Sequence, residues 1–454
     1  MRAVASVVSA AVAGAVACGV MSVASAAGAP LPEGWQASNM KPLSHLDLPG
    51  PRAFKLSIKQ ANGRWYLFVA QGGGAVDVPL EGRGFNVVDV TDPANPKLVT
   101  TVPVASGSGQ LTHHDNLLIA GVQNPYAEGN PHPREAPFAK QQQQPAMNDL
   151  AVFFDVSDPA QPKELSRWRT RGWATHRNVY PGGKYAYMAA WIDGYKGQAV
   201  LQVLDVSDPV HPKEVSTWWQ PGQKDGEPAR VPPNGLHGPV TVSPDGKMLT
   251  MGYAPGVVNL NFSDPAHPTL IGEINFAPLP SLGAQSIHTG LPLKNGMLHV
   301  SIEPADPGCT ESAAWAALVD NRNPAKPRLV SYYPRPAPPP GATYKSFCEK
   351  GGRVGPHNVN AEVHLPDAQG PGDLIFMTYF TAGVRAFDIS DPNTPKETGW
   401  FLPKIGTWES GARGPEDILV DTRGNIYTSM GEESGIWILR YTNPKGPQLP
   451  VTAK

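Results

Sequence analysis

The chain has few cysteines and almost no net charge, and both features exclude some classes of function. It has three cysteines in 454 residues, and no two of them form a CxxC motif. Its 37 lysines and arginines nearly balance 39 acidic residues, without any basic block. Nucleic acid and anionic membranes are therefore not expected partners, and no protein partner is indicated.

Sequence motifs of common enzyme classes are also absent. The chain has no Ser-His-Asp order of a serine hydrolase and no glycine-rich loop that would cradle a phosphate. Three successive glycines at 72–74 precede no helical pattern, so they do not form a nucleotide-binding fingerprint. Any chemistry must come from residues that the fold assembles.

Long apolar runs are missing after the N-terminus. Residues 1–26 have the pattern of a signal peptide, with Arg2 as the charged part, an apolar run at 4–23 and an Ala-Ser-Ala cleavage site. A membrane anchor is the alternative, and Cys18 leaves lipid attachment open, but the run is only weakly apolar. We predict an exported protein, periplasmic or secreted, without a membrane span after cleavage.

Two cysteines remain in the exported chain, Cys309 and Cys348. An oxidising compartment allows them to pair, so they are candidates for a disulfide. The alternative is two separate buried thiols.

What the chain has in abundance is a repeated turn, supported by 50 prolines and 47 glycines. The best copy, at 201–215, is an apolar run, the turn Asp-Val-Ser-Asp-Pro-Val-His-Pro, and a second strand-like run. The side chain of the turn aspartate accepts backbone hydrogen bonds, and proline fixes the next φ angle. Seven such turns, 50 to 68 residues apart, are anchored at Asp92, Asp158, Asp208, Asp264, Asn323, Asp391 and Asn443.

This motif resembles the LVIVD-repeat β-propeller family. Strand-like runs punctuated by proline, glycine and aspartate at this period are typical of four-stranded propeller blades. We predict an all-β chain with a single seven-bladed β-propeller at 50–446 and four-stranded blades. The segment 27–49 is a possible closure strand for the last blade, with the tail at 447–454 as the alternative source.

Alignment of the repeats places histidines at one equivalent position, the start of the innermost strand, in four consecutive blades. They are His176, His237, His288 and His357, and the next two blades have Glu416 and Arg52 there. Equivalent positions form a ring at one mouth of a propeller channel, and imidazoles suit transition metals. We predict a metal site of the four histidines. The alternatives are coincidence, or a ring that binds a polar ligand without metal.

Other candidates surround this ring. Trp173 and Trp408 are predicted to line the mouth, and Asp417 to bind substrate or, like Glu362, to orient a ligand imidazole. His113 and His114 are expected at the opposite face. His299 and Glu303, on or after a second strand, are weaker candidates, and His211 and His267 are expected to be inert turn residues.

The predicted ring is similar, in architecture and ligand type, to the four-histidine site of carotenoid-cleaving non-haem iron oxygenases. That resemblance implies one divalent transition metal, with iron or copper favoured and manganese or zinc as further options. It also implies an oxidoreductase or oxygenase acting on a small organic substrate. Glu416 is then the predicted general base and Arg52 the anchor for a substrate anion. The alternatives are a metal-assisted polysaccharide lyase acting on uronates and a non-enzymatic binding scaffold.

Overall fold

The computed structural model describes residues 34–50, 52–72, 83–104, 108–122, 147–228, 235–276, 287–304, 309, 314–403, 414–431 and 435–450. Within these segments the chain is almost entirely β. The exceptions are one 3₁₀ turn at Lys294–Gly296 and one short helix, α1 (Phe347–Lys350). No helix in the described part of the chain has the length and apolar character needed to span a bilayer.

The strands form antiparallel sheets, which we number in chain order. Sheet I contains β3 (Ala53–Ala61), β4 (Arg64–Gln71), β5 (Gly84–Asp89) and β6 (Lys97–Pro103). Sheet II has seven strands: β7 (Ser108–His114), β8 (Leu117–Val122), β9 (Met147–Asp155), β10 (Lys163–Val179), β11 (Tyr185–Ile192), β12 (Val200–Asp205) and β13 (Lys213–Trp218).

Four more sheets have four strands each. Sheet III contains β14 (Gly235–Val242), β15 (Met248–Ala254), β16 (Gly256–Asn261) and β17 (Thr269–Asn275), and sheet IV contains β18 (Ile287–Pro292), β19 (Met297–Ile302), β20 (Ala316–Asp320) and β21 (Arg328–Tyr332). Sheet V contains β22 (Leu374–Thr378), β23 (Val384–Asp388), β24 (Lys396–Leu402) and β1 (Gln36–Ser38), and sheet VI contains β25 (Pro415–Val420), β26 (Asn425–Met430), β27 (Gly435–Tyr441) and β2 (Met40–Asp47).

Six sheets are thus observed in the described residues, where the sequence predicted seven blades. The difference arises from β10, whose residues 163–171 pair with β9 and whose residues 172–179 pair with β11. Each half of this long strand completes a group of four strands. A hydrophobic cluster that includes Phe153 and Met188 packs β8 and β9 against β11 and β12, as other clusters do between separate sheets.

The N-terminal segment pairs with the last of the six sheets. Strand β2 pairs with β27, the last strand in the described residues, from Met40 opposite Tyr441 to Asp47 opposite Gly435. Strand β1 was not predicted and adds an edge to sheet V through Ala37 opposite Phe401. Closure by a distant segment covers edges that would otherwise expose unpaired backbone groups.

The repeated turn has the structure that its sequence predicts. The Asp208 carboxylate accepts a hydrogen bond from the Val210 amide at 3.1 Å, and the Asp208 carbonyl accepts one from the His211 amide at 3.0 Å. The strand after the turn then contacts the next repeat, since Ser216 Oγ donates to the Pro265 carbonyl at 2.7 Å. Side-chain capping of the amide two residues on recurs at Asp92, Asp158, Asp264, Asn323, Asp391 and Asn443.

The two faces of the propeller differ in their connections. Antiparallel order places the Asp-Pro turns at one face and the connections from second to third strands, such as β4 to β5 and β19 to β20, at the other. The first strands contact one another in succession around the axis, β25 with β3, β3 with β7, β10 with β14 and β14 with β18. They begin at the second face, which therefore displays the residues that open each first strand.

Candidate metal centre at the propeller axis

The four predicted histidines converge at this face. Ring centroids lie 5.2 Å apart for His176 and His237, 4.9 Å for His237 and His288, and 4.8 Å for His288 and His357. All four are buried, His288 completely. Glycine allows this approach, because a Cβ at Gly238 would overlap the backbone carbonyl of His288. The four imidazoles therefore form a chain of neighbouring rings, and their role as metal ligands stays a prediction.

Glu303, which was only a weaker candidate from the sequence, joins the ring. Its Oε2 lies 3.3 Å from His237 Nε2 and 3.8 Å from His288 Nε2. Its Oε1 contacts Arg353 Nη2 at 2.5 Å and lies 3.6 Å from His357 Nε2. One carboxylate oxygen is therefore held by arginine while the other faces two imidazoles. Of the described residues, His237, His288 and Glu303 are the group whose ligand atoms all lie within 4.8 Å of one another.

Antiparallel pairing explains the position of Glu303. Ile287 at the start of β18 pairs with Ile302 at the end of β19. His288 directly follows Ile287 and Glu303 directly follows Ile302, so both lie within one residue of this pair, at the mouth where β18 begins. The available signal was a carboxylate immediately after a second strand. Any such residue returns to the level at which the first strand begins.

His357 differs from the other histidines because an arginine occupies its lone pair. Arg177 Nη2 lies 2.9 Å from His357 Nε2, and Arg177 Nη1 donates to Asn358 Oδ1 at 3.0 Å. Arginine stays protonated, so His357 Nε2 accepts and Nδ1 carries the proton, 3.4 Å from Glu416 Oε2. Arg177 has φ of 57° at a register shift after His176, an irregularity that re-aims a strand residue.

Protonation states at the centre suit a metal. Burial alone would raise the pKa of Glu303, but the charge of Arg353 makes the largest contribution to lowering that pKa below its ordinary value. Burial, followed by the charge of Arg177, lowers the pKa of His288 well below its ordinary value. An ionised carboxylate and neutral imidazoles are the forms that ligate metal ions.

The distances fit a single ion. Nitrogen and oxygen ligands lie about 2.0–2.2 Å from a metal such as zinc, so two ligands of one ion are separated by at most about 4.4 Å. The separations of 3.3 and 3.8 Å from Glu303 to the two histidines satisfy this limit. The ligand atoms of His237, His288 and Glu303 all lie within 4.8 Å of one another, so these three residues are the candidates to hold a metal.

Neighbouring residues fix these side chains in place. Thr289 Oγ1 lies 2.8 Å from His288 Nδ1, which orients that ring with Nε2 toward Glu303. The Arg353 guanidinium carbon lies 4.0 Å from the centroid of the Phe380 ring. The same ring stacks on His357, with 4.6 Å between the ring centroids. Partners of this kind hold metal ligands in orientation.

The remaining predicted site residues do not belong to the group of His237, His288 and Glu303. Glu416 contacts His357, so it orients an imidazole, and its role as a general base stays a prediction. Trp173 and Arg52 are half-buried, and their roles in substrate binding also stay predictions. Trp408 lies outside the described residues.

Asp417 belongs to a second buried group, deeper along the axis. Its Oδ2 accepts from the Leu56 amide at 2.8 Å and lies 3.3 Å from Lys55 Nζ, which also pairs with Glu362. Glu362 lies 3.6 Å from His364. Asp417 and Glu362 therefore contact a lysine rather than an imidazole of the ring, and the role of Asp417 in substrate binding stays a prediction.

Histidines that were expected outside the ring lie outside it. His113 Nδ1 is 2.6 Å from Ser57 Oγ, at the hairpin end of β7. His211 and His267 are exposed, and each lies 2.9 Å from the aspartate of its own turn.

Cys309 and Cys348 form a disulfide, which the sequence left open. Cys309 comes six residues after Glu303, and Cys348 comes five residues before Arg353. The bridge therefore links the segments that carry the two partners of one ion pair.

Replacing both cysteines by serine is expected to lower the free energy of unfolding by about 2–4 kcal/mol, because the bridge closes a long loop. It should also weaken metal binding, because Arg353 would hold Glu303 less firmly. Denaturant titration and competitive metal titration measure the two effects, and wild-type protein treated with a reductant should reproduce both. Unchanged metal affinity would show that the bridge stabilises only the fold.

Comparison with known families and structures agrees with this architecture. Residues 66–104 and 177–218 match the LVIVD repeat model, and residues 406–432 match the N-terminal model of the strictosidine synthase-like family. The chain is an all-β propeller that carries LVIVD repeats, as its motif predicted. No curated protein sequence matches the chain at a significant level.

Solved structures resemble the chain in fold at low identity. A protein from Lactobacillus plantarum is 10% identical, with a TM-score of 0.51 over 80% of this chain and 92% of that one. The periplasmic gluconolactonase PpgL of Pseudomonas aeruginosa is 13% identical, with a TM-score of 0.49 over 86% and 99%. The WD40 β-propeller domain of Doa1 is 10% identical, with a TM-score of 0.49 over 88% and 96%.

Proposed function

We propose that the chain is an exported metal-dependent enzyme that binds one divalent transition metal through His237, His288 and Glu303 and oxidises a small organic substrate. The main support for this proposal is that the two oxygens of the Glu303 carboxylate have different partners. Arg353 holds one oxygen, and the other oxygen faces two buried imidazole nitrogens at 3.3 and 3.8 Å.

The donor set favours iron over copper. Two histidines and one carboxylate with open positions are typical of non-haem Fe(II) oxygenases, whereas copper sites rely more on nitrogen and sulfur ligands. When bound, such a metal supplies Lewis acidity and a redox couple. Manganese and zinc remain compatible with the same residues.

The chain's own residues would shape the substrate site. Glu303 and Glu416 balance the charges of Arg177 and Arg353, so a divalent ion would leave a positive excess that favours an anionic substrate. His357 is placed to donate from Nδ1 to Glu416, while Arg177 keeps its Nε2 engaged. Apart from Arg353, which is partly exposed, these groups are buried, which excludes bulk water and strengthens their interactions.

We also propose that the chain folds as a seven-bladed propeller. We infer that sheet II is two blades joined through β10, because each half of that strand pairs with its own neighbour and a hydrophobic cluster lies between the halves. Export rests on the signal-peptide pattern at 1–26, which lies outside the described residues, and agrees with the disulfide.

A metal-assisted lyase acting on uronate oligosaccharides is the second candidate. The guanidiniums of Arg177, which is buried, and Arg353, which is partly buried, lie beside the imidazoles and favour it, because arginine pairs well with carboxylates. Metal analysis of protein purified without chelators separates the candidates. Iron with substrate-dependent oxygen uptake supports the oxidase, and a redox-inactive metal with formation of unsaturated uronate supports the lyase. Protein purified without stoichiometric metal would contradict both enzymes and favour a non-enzymatic binding scaffold.

Replacing His357 by alanine is expected to preserve stoichiometric metal, because Arg177 already occupies the His357 Nε2 lone pair. A site of four histidines predicts the opposite result. Elemental analysis of the purified variant decides between them, with His176→Ala as the companion variant. Loss of metal in His357→Ala would show that Arg177 moves aside and that the fourth imidazole is a ligand.

A further inference from the structure

A cleft lies between sheets IV and V at the face of the Asp-Pro turns, opposite the histidine ring. Its volume is about 350 Å³, within the range of small-molecule sites. It lies between the β18–β19 connection at Lys294–Gly296 and the turns that follow β20 and β23. Its apolar lining residues are Leu293, Met297, Leu318, Val330 and Ile389.

Three cations line the same cleft. Arg322 donates through Nε and Nη2 to Asp320 at 2.9 and 2.6 Å, and Arg328 donates to the same carboxylate at 2.9 Å. Asp320 therefore holds two guanidiniums side by side and leaves several of their N–H groups for a ligand. Lys294 has no ion pair among the described residues. With Asp373 as the other acid, the cleft has an excess of one positive charge.

Arg322 is a departure from the repeat. The equivalent position is serine or threonine in all six other turns, namely Thr442 and the five residues Thr91, Ser157, Ser207, Ser263 and Ser390. At each of the last five the backbone amide donates to the side chain two residues earlier, and the amide of Arg322 does the same to Asp320 at 3.1 Å. The turn therefore forms without a guanidinium, so turn formation does not explain the arginine.

We propose that this cleft binds a small amphipathic anion, a carboxylate or sulfonate with a short apolar body. The head group pairs with Arg322, Arg328 and Lys294, since guanidinium recognises such oxyanions in bidentate geometry. The apolar body covers Met297 and Ile389. The site is separate from the metal centre and does not depend on the proposed enzymatic function.

The test uses octanoate as the probe and the methyl signal of Met297 as the reporter. In full-length protein labelled with ¹³C-methyl methionine, octanoate should shift the Met297 signal saturably, and Met297→Leu assigns that signal. Octylammonium has the same apolar body and the opposite charge, so it should not bind. The result should be the same for metal-loaded and chelator-treated protein, which separates this test from that of the metal centre.

Variants identify the head-group contacts. Arg322→Ser restores the residue of the other turns and should weaken octanoate binding roughly tenfold, as should Lys294→Ala. Lys247→Ala removes an exposed lysine from the corresponding hairpin of sheet III and should bind octanoate like the wild type. Equal binding by Arg322→Ser, equal shifts with octylammonium, or a Met297 signal that does not respond would each overturn the proposal.

Discussion

Substituting glutamine for Glu303 is expected to abolish stoichiometric metal binding while the propeller stays folded. The change removes the charge and leaves the shape, so His237 and His288 would remain as an incomplete pair of ligands. Loss of an outer partner of a metal site costs roughly 10–100-fold in affinity, and loss of a ligand should exceed that. Elemental analysis and competitive titration with a chromophoric chelator measure the effect.

Three further variants make this prediction specific. His237→Ala should lose metal like Glu303→Gln, and Arg353→Met should fall in the roughly 10–100-fold range, because Arg353 only orients Glu303. His267→Ala removes an exposed turn histidine and should keep full metal content. Retention of stoichiometric metal by Glu303→Gln with an intact circular dichroism spectrum would contradict the proposed centre.

The fold was accessible from the sequence because its signal is local and repeated. Each Asp-Pro turn specifies its own geometry within four residues, so seven copies indicate a propeller without any knowledge of long-range contacts. What the turns do not encode is continuity between sheets. The long strand β10 merges two groups of four strands through residues 163–179, and no turn signal marks that junction.

The candidate site was predicted in part for a similar reason. His176, His237 and His288 lie on β10, β14 and β18, and His357 precedes β22 in a segment without a regular strand. Alignment of the repeats nevertheless locates all four. Glu303 and Arg353 belong to no repeat position, and their contact depends on strand pairing and on the disulfide between their segments. Lys55 was missed because a lysine is usually exposed, and only the complete structure shows two carboxylates around it.

Replacing Lys55 by methionine is expected to be strongly destabilising. Lys55 comes from sheet I, Asp417 from sheet VI, and Glu362 from the segment before sheet V, so one ammonium joins three sectors of the propeller near its closure. Removing one partner of a buried ion pair costs about 3–5 kcal/mol, because the remaining charges stay buried without compensation. Denaturant unfolding of the variant measures this loss against the wild type.

The pH dependence of this loss tests its cause. In the wild type, burial raises the pKa of Glu362 but Lys55 lowers it by more, so the pKa lies below its ordinary value. The stability that Glu362 contributes is therefore present above the ordinary carboxyl pKa and is lost as pH falls through the folded pKa. Without Lys55, burial dominates and raises that pKa above its unfolded value, so the variant loses stability as pH rises. The two proteins should therefore differ most at neutral pH and least in acid.

Two controls separate unpaired charge from lost packing. Lys184→Met removes an exposed lysine that lies 3.3 Å from Asp205, and it should leave stability unchanged at every pH. Combining Lys55→Met with Glu362→Gln and Asp417→Asn removes all three charges and should recover most of the loss, since a neutral group of similar volume needs no counter-ion. If the triple variant is no more stable than Lys55→Met, the lysine stabilises the propeller through packing. The ion triad would then not be what holds the closing sheets together.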